Sequence, residues 1–554
     1  MKALIITGGL VSGMENSIAS SLRRLFRQWR ASEHAWLDLK IKLVFAEFLI
    51  RKPRTVNDDL WAPDLTEVLL ATLLHQQGMP YALAIYGDLF DRPRLMEQLL
   101  AETDCVFVST TFLRDLSELA PLVKMLKRPH NRIVVGGPLA SLLADRWEDR
   151  DVDLLAAGYG EFLVPSLVEW MRSGFENLQP PSGGRLVKRG TTQILYGGVP
   201  HTNNLDFLPT PDWAQSQADH GRPYRMIYYE SVRGCPYRCN FCNYPFLFSD
   251  NHFRYKSAPR MVAEWEHYLD TLNPEYITCL DSLFTVPRAR LVEFCCTLIE
   301  RRLNRVKWIC YARADDLADE RTTALMKAAG AHQVQIGIES GDQGQLNNMD
   351  KACTVESNAR AIDLCRKHGL TTVISLIVGF PGETRETLDH TLDFLRNHPP
   401  DFFFLAPFST RATGVPLLTE TNRARFNLQT TNHLRTSAPY WRHRTMSCLE
   451  MGNELRDLHR AIVSERISLN GALFHNHLLD YRPEGRAALL NQQSRIAKSS
   501  PVVSWIFDRL NARIDSRLAN DLAACLPDAP DDENVPKDCA TYSNVSPPGP
   551  FPLV

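Results

Sequence analysis

Apolar residues recur along this chain in two alternating patterns, short unbroken runs and runs spaced three or four apart, and the alternation predicts an α/β protein. KALIIT, from Lys2 to Thr7, reads as a buried strand entering a glycine turn at Gly8 and Gly9. PDLTEVLLATLLHQQG reads as a helix ending at Gly78, YALAIY as the next strand, and TDCVFVSTTF and NRIVVGG as strands running into small residues. Repeating helix and strand predicts a doubly wound, Rossmann-like parallel sheet over residues 1–175. A helical insertion interrupts it at about 16–63. There Ile18, Leu22, Leu25, Phe26 and Trp29 share one face and Arg23, Arg24, Arg27 and Arg30 another, a solvated basic face over a packed stripe.

Residues 176–222 are rich in glycine, proline and polar side chains and read as a linker, with a hairpin near KRGTTQILYGG. Beyond it EYITCLDSLFT, VKWICYARADDL, AHQVQIGIESG, TTVISLIVGFPGET and PDFFFLAPFS alternate with amphipathic helices, predicting a partial (β/α)6 barrel over 223–415. Chemistry in such barrels gathers at the carboxyl ends of the strands, where Asp281, Arg313, Glu339 and Ser340 fall. A helical C-terminal region follows over 416–526. The proline-rich, acidic segment 527–554 reads as disordered.

With 554 residues and 44% hydrophobic content the chain can bury more than one core. Its formal net charge of -2 gives no global attraction to nucleic acid or an anionic membrane. No apolar run is long enough to span a bilayer, and no secretory leader opens the sequence. The 13 cysteines are odd in number and irregularly spaced, which points to a reducing, cytoplasmic setting. Cys295, Cys296 and Cys365 fall in helical stretches as small hydrophobes.

Three cysteines stand apart. In RGCPYRCNFCNYP, Cys235, Cys239 and Cys242 follow a C-x3-C-x2-C spacing. A closed iron–sulfur cluster or structural zinc site takes four ligands, so a compact triplet suits a four-iron, four-sulfur (4Fe-4S) cluster with one iron left open. Three reduced loop cysteines, or a zinc site completed by a distant histidine, are the alternatives.

The spacing, the Gly-Cys-Pro entry and the aromatic Phe241 before the third cysteine resemble the radical S-adenosylmethionine superfamily. GGPLAS and GYGE, ahead of the cluster motif, and GIESG and IVGFPGET beyond it are similar to its cobalamin-binding branch. The resemblance implies a 4Fe-4S cluster on Cys235, Cys239 and Cys242, and S-adenosylmethionine held near Phe241, Asp281, Arg313, Glu339, Ser340 and Gly379. Arg313 would pair with its carboxylate, or else with Asp315 or Asp316. Glu339 and Ser340 would hold the ribose or amino group, and Gly379, Pro381 and Gly382 would shape the adenine pocket.

Cobalamin is implied at Ser109, Thr110, Gly136, Gly137, Ser141, Gly158 and Glu161. The Asp-x-His-x-x-Gly motif that supplies cobalt with a histidine in many such domains is replaced by GDLFDRP, Gly87–Pro93, so cobalamin is expected without a protein histidine below it, or not at all. Trp441 and His443, in a phrase similar to the tail of some cobalamin-type methylases, are substrate candidates. The implied activity is methylation of an unactivated carbon or a phosphinate phosphorus of a small molecule, as in antibiotic biosynthesis, with flavodoxin or ferredoxin as reductant. A cyclase or rearrangement enzyme holding cobalamin without methyl transfer, and a non-catalytic cobalamin or iron–sulfur sensor, are the alternatives.

Overall fold

The computed structural model describes residues 1–8, 36–49, 60–113, 116–144, 147, 151–247, 252–411, 414–431, 439–471, 480–498 and 501–526. The predicted stripe from Ile18 to Trp29 and the predicted disordered tail 527–554 lie outside the described residues.

Seven strands make the first sheet: β1 (Ala3–Thr7), β2 (Tyr81–Ile85), β3 (Cys105–Ser109), β4 (Arg132–Gly136), β5 (Leu154–Ala157), β6 (Arg185–Arg189) and β7 (Thr192–Tyr196). Their order is β2-β1-β3-β4-β5-β7-β6. The first five are parallel, and β6 alone runs antiparallel, as the outer arm of the predicted hairpin. Central strands read as unbroken apolar runs because both faces are covered. Leu4, Ile6, Val106, Val108, Ile133 and Val135 pack into one core, while Ala3, Ile5, Cys105, Phe107, Val134 and Leu154 pack into another. The hairpin pairs in parallel with β5 through β7. The first half of the stretch expected as a linker therefore belongs to this sheet.

The second sheet begins with β8 (Met226–Tyr229), which the sequence patterning did not single out. An antiparallel pair follows, β9 (Val232–Arg233) with β10 (Arg254–Tyr255). Then come β11 (Tyr276–Cys279), β12 (Lys307–Ala312), β13 (Ala331–Glu339), β14 (Thr371–Val378) and β15 (Phe402–Pro407). Strands β8, β11, β12, β13, β14 and β15 lie side by side in chain order, all parallel. This is the predicted six-stranded partial barrel. A two-stranded antiparallel ribbon, β16 (Gln429–Thr430) with β17 (Trp441–Arg442), leads to the helix Cys448–Ser464, whose start is fixed by a capping box between Ser447 and Glu450. The short β18 (Leu469–Asn470) then adds to the edge at β15.

The described part of the insertion, the helix Trp36–Leu49, packs on the C-terminal helix Pro501–Cys525. Lys40 is buried there against Asp515 and donates to Asn453 Oδ1 at 2.7 Å, with its stem lying over Gly452, where a Cβ would collide with it. Among the described residues no helix is long and apolar enough to cross a membrane.

Candidate functional site

The cysteine loop hangs between β9 and β10, so both its ends are tied by one antiparallel pair. Gly234 opens it at φ +81°, and a Cβ there would strike the His252 carbonyl, which is why the loop starts with glycine. Within it the Asn240 N–H donates to the Met349 carbonyl at 2.8 Å, Asn240 Nδ2 to the Asn348 carbonyl at 2.9 Å, and the Leu417 N–H to the Asn240 carbonyl at 3.0 Å. The Arg313 guanidinium stacks 3.8 Å from the centroid of the Tyr237 ring. The loop is thus held from three sides.

Cys239 is buried, Cys235 and Cys242 are half-buried, and none forms a disulfide. Burial pushes all three thiols up, Cys242 to about 11, while the Lys351 ammonium opposes the rise at each and the Arg313 guanidinium at Cys235 and Cys239. Among the described residues no group of three His, Cys, Asp or Glu side chains is gathered to hold a metal ion. A cluster, whose irons each take one thiolate, does not demand that tight a set. Three unpaired thiols beside two cations fit an anionic cluster with one iron open.

At the end of β13, Glu339 stands at φ +64° and accepts from Lys351 Nζ at 3.1 Å. Gly337 makes room for this pair, since a Cβ would meet both side chains. Burial alone would lower the Lys351 ammonium, but Glu339 holds it above its ordinary value. Its Nζ lies 5.7 Å from the centroid of the Phe241 ring. Lys351 is the residue the sequence reading missed; it follows a short helix with no periodicity to mark it. Phe241 also borders a cavity of about 180 Å3 walled by Ile377, Ala406, Phe408 and Leu417 at the ends of β14 and β15.

Several of the expected ligand-binding residues also bond within the protein. Asp281 is fully buried and accepts from the Ser231 N–H at 2.6 Å, the Ser231 hydroxyl at 2.5 Å and the Val232 N–H at 2.8 Å, so it ties the β8–β9 corner. Burial raises it to about 6 despite Arg290. Arg313 donates Nε to Asp315 at 2.9 Å and Nη2 to the Lys351 and Ala352 carbonyls at 2.7 and 2.8 Å, realising the salt bridge that was its alternative. Ser340 is buried against Thr391 and accepts from the Asp342 N–H at 3.1 Å. Gly379, at φ +88°, gives its N–H to Glu383 and its carbonyl to His443 Nε2 at 3.1 Å, which occupies the backbone groups expected to face adenine. His443 is buried and lowered to about 4 by desolvation, and its Nδ1 accepts from the Thr445 N–H at 3.3 Å. Trp441 is fully buried and stacks on it at 5.3 Å. The pair clamps the end of β14.

In the first sheet the strand order reverses between β1 and β3, and ligands of doubly wound sheets sit at such a switch point. Ser109 and Thr111 meet there at 3.0 Å. Thr110 donates to the Gly136 carbonyl at 2.7 Å and accepts from the Leu139 N–H at 3.1 Å. Gly137, at φ +91°, packs its Cα against Thr110, and Ser141 lies one turn along the following helix. Gly158, at φ +118°, ends β5. Where the absent histidine motif would lie, Gly87–Pro93 forms a short helix tied to β2 by Asp88, which accepts from the Ile85 N–H at 3.1 Å. Missed by the sequence reading are Asp64 and Glu67 at the end of β1. Burial raises Asp64 despite hydrogen bonds from Thr7 and the Gly8 amide, and Glu67 accepts from Thr7 at 3.2 Å and pairs with His220 at 2.7 Å.

These two strand-end faces look toward each other. Burial, together with the Asp64 carboxylate of the first domain and the Tyr311 phenol of the barrel, raises Tyr228 at the barrel's first strand. Glu161, expected at cobalamin, instead takes Arg233 in a bidentate pair at 2.6 and 3.0 Å, both side chains about 5% exposed. Arg233 also bonds Glu230 and lies 4.8 Å from the Tyr159 ring centroid. Burial alone would raise Glu161, but the guanidinium holds it below the usual carboxylate range.

The thiol loop thus lies at the mouth of a partial barrel that packs against a doubly wound sheet. Residues 229–395, most of the barrel, match the family model of the Radical SAM superfamily. The chain is 32% identical over 257 residues to the anaerobic magnesium-protoporphyrin IX monomethyl ester cyclase of Rubrivivax gelatinosus, covering 45% of this chain and 46% of that one. The chain thus spans about half the length of the curated relatives it matches. Its fold is shared with the methyltransferase TsrM of Kitasatospora setae, solved with cobalamin and a 4Fe-4S cluster, at a TM-score of 0.58 and 16% identity over 84% of this chain and 98% of that one. The cobalamin-dependent radical enzyme OxsB, solved with aqua-cobalamin, aligns at 0.59 and 15% identity over 95% and 73%.

Proposed function

We propose that this chain is a cobalamin-dependent radical S-adenosylmethionine methyltransferase acting on a small molecule. The observation that supports this is the tie between the two domains at the cysteine loop, where Arg233, two residues before Cys235, is paired with Glu161 just beyond β5. Two cofactors seated on the two strand-end faces would share one cavity. When bound, the cluster and S-adenosylmethionine would supply radical chemistry and cobalamin would supply a methyl group.

The chain's own residues do the positioning. Cys235, Cys239 and Cys242 would hold the cluster. The Lys351–Glu339 pair and Phe241 would meet the charged end and the body of S-adenosylmethionine, and the apolar cavity beside Phe241 would take its adenine. Ser109, Thr111 and the Gly136–Gly137 turn would line the cobalamin face.

A second proposal, a cyclase that holds cobalamin without methyl transfer, is supported by the identity to the protoporphyrin ester cyclase. Anaerobic reconstitution with iron, sulfide and cobalamin, followed by mass spectrometry of nucleosides and products, separates the two. Methylated product with both 5′-deoxyadenosine and S-adenosylhomocysteine is expected. Deoxyadenosine with an unmethylated, rearranged product would overturn the methyltransferase in favour of the cyclase.

A further inference from the structure

We propose that the exposed face of the C-terminal helix Pro501–Cys525 docks on an anionic phospholipid surface, its first turns entering the headgroup layer at Trp505 and Ile506 and the arginines that follow meeting lipid phosphates. The proposal goes beyond the function above and does not rest on it.

Residues three and four apart share one side of a helix, and the positions of this helix sort by that spacing. Phe507, Asn511, Ile514, Leu518 and Leu522 form its buried side. On the opposite side Val502, Trp505, Ile506 and Leu510 are 65%, 58%, 43% and 41% exposed. Exposed apolar residues scattered singly need no explanation, but four on adjacent turns of one helix form a patch, and patches mark interaction sites.

Charge follows the same division. The helix carries three acids, Asp508, Asp515 and Asp521, and three arginines, Arg509, Arg513 and Arg517. Asp508 accepts from Arg460 at 3.2 Å, Asp515 pairs with Lys40, and Asp521 accepts from the Tyr440 hydroxyl at 2.9 Å, so each acid is answered by a neighbouring element. The arginines are exposed and succeed the apolar residues along the outer side. Arg509 lies 5.3 Å from the Trp505 ring centroid, which keeps its guanidinium beside the apolar end. The net charge of -2 gives no attraction from the chain as a whole, so the pull on an anionic surface is local to this face. An apolar end with cations directly behind it matches a lipid interface, where tryptophan sits at the acyl boundary and arginine meets phosphate. The helix would lie on such a surface, since it is not apolar enough to cross it. A second copy fits less well. The four apolar side chains expose on the order of 400 Å2, about half of the ~800 Å2 that each partner gives to a stable complex.

The probes are vesicles of phosphatidylcholine mixed equally with phosphatidylglycerol and vesicles of phosphatidylcholine alone, and the readout is co-flotation of the full chain. The chain should float with the mixed vesicles and more weakly with the neutral ones. Its affinity for mixed vesicles should fall at least about tenfold in the double variant Trp505→Ser, Ile506→Ser. It should fall about fivefold in each of Arg509→Gln and Arg513→Gln. The replaced side chains are exposed, so the fold should survive; circular dichroism checks this, and the arginine variants decide the question if the apolar variant loses helix. No flotation with mixed vesicles, equal flotation with neutral ones, or flotation that the variants leave unchanged would overturn the proposal. Sedimentation without lipid should give the same oligomeric state for the wild type and the double variant. A dimer that the double variant dissolves would give the face to a second copy and overturn the lipid assignment.

Discussion

Replacing Arg233 with methionine should separate the two halves of the molecule. Arg233 sits two residues before Cys235 and is held by Glu161, Glu230 and the Tyr159 ring. In Arg233→Met the buried Glu161 loses its bidentate partner, and removing one member of a buried ion pair costs about 3–5 kcal/mol. The carboxyl, held low in the wild type, would be raised by burial in the variant. Paired, Glu161 contributes stability that is present above its unfolded value and lost as pH falls; unpaired, it loses stability as pH rises. The difference between the proteins should therefore grow from pH 4 to pH 7. A chain of this size does not unfold in one step, so local opening is the quantity to measure. Hydrogen exchange read on peptides over 158–170 and 229–236 should show opening at least about 150-fold more frequent at pH 7, the equivalent of 3 kcal/mol. The double variant Glu161→Gln, Arg233→Met should recover part of the loss, because no lone charge remains buried. Less than about fivefold, with no dependence on pH, would refute the argument that this pair joins the sheet to the cluster loop.

Replacing Cys235, Cys239 and Cys242 together with alanine should abolish four-iron binding on anaerobic reconstitution, counted by iron and sulfide analysis; a fourfold iron content in the variant would move the cluster elsewhere. Burial places Glu383 at about 8, so its neutral form is favoured on folding and the wild type should lose stability as pH rises from about 4.5 to 8. Glu383→Gln should flatten that slope in the local opening read by hydrogen exchange on peptides over 376–390 at several pH values, and an unchanged slope would assign it to other groups. Arg313→Lys loses the planar stack on Tyr237 and the paired carbonyl contacts; it should slow cluster retention under chelator challenge while leaving S-adenosylmethionine affinity within about twofold, and the reverse pattern would restore Arg313 to the carboxylate role. The cob(II)alamin form should show no imidazole nitrogen splitting in its electron paramagnetic resonance spectrum, and such splitting would place a histidine below the cobalt.

The doubly wound sheet and the partial barrel were legible in sequence because strands buried on both faces write themselves as unbroken apolar runs, as in KALIIT and TTVISLIV. Strand β8 was not, since four residues ending in two tyrosines carry no period. The cysteine triplet stands out in the sequence because its spacing is local. Asp281, Arg313 and Glu161 were assigned to cofactors and His443 to substrate, and each also fastens a loop or a neighbouring element. A charged or polar residue at a strand's carboxyl end serves either purpose, and only the distances separate them. Lys351 and Asp64 show the converse. Their roles depend on partners 12 and 57 residues away in sequence, Glu339 and Thr7, and no periodic pattern predicts such a meeting.

The outer arm of the hairpin has a bearing on how copies of this protein behave toward one another. All five residues of β6 are exposed, and three of them, Arg185, Lys188 and Arg189, are cationic. A bare strand at the rim of a sheet invites a second chain to pair with it. Here that rim is a short strand of like charges, so a neighbour adding in register would bring arginine and lysine against arginine and lysine. Crowded solutions at low salt should therefore keep the molecules apart along this edge, and raising the ionic strength should weaken that protection before it disturbs either core.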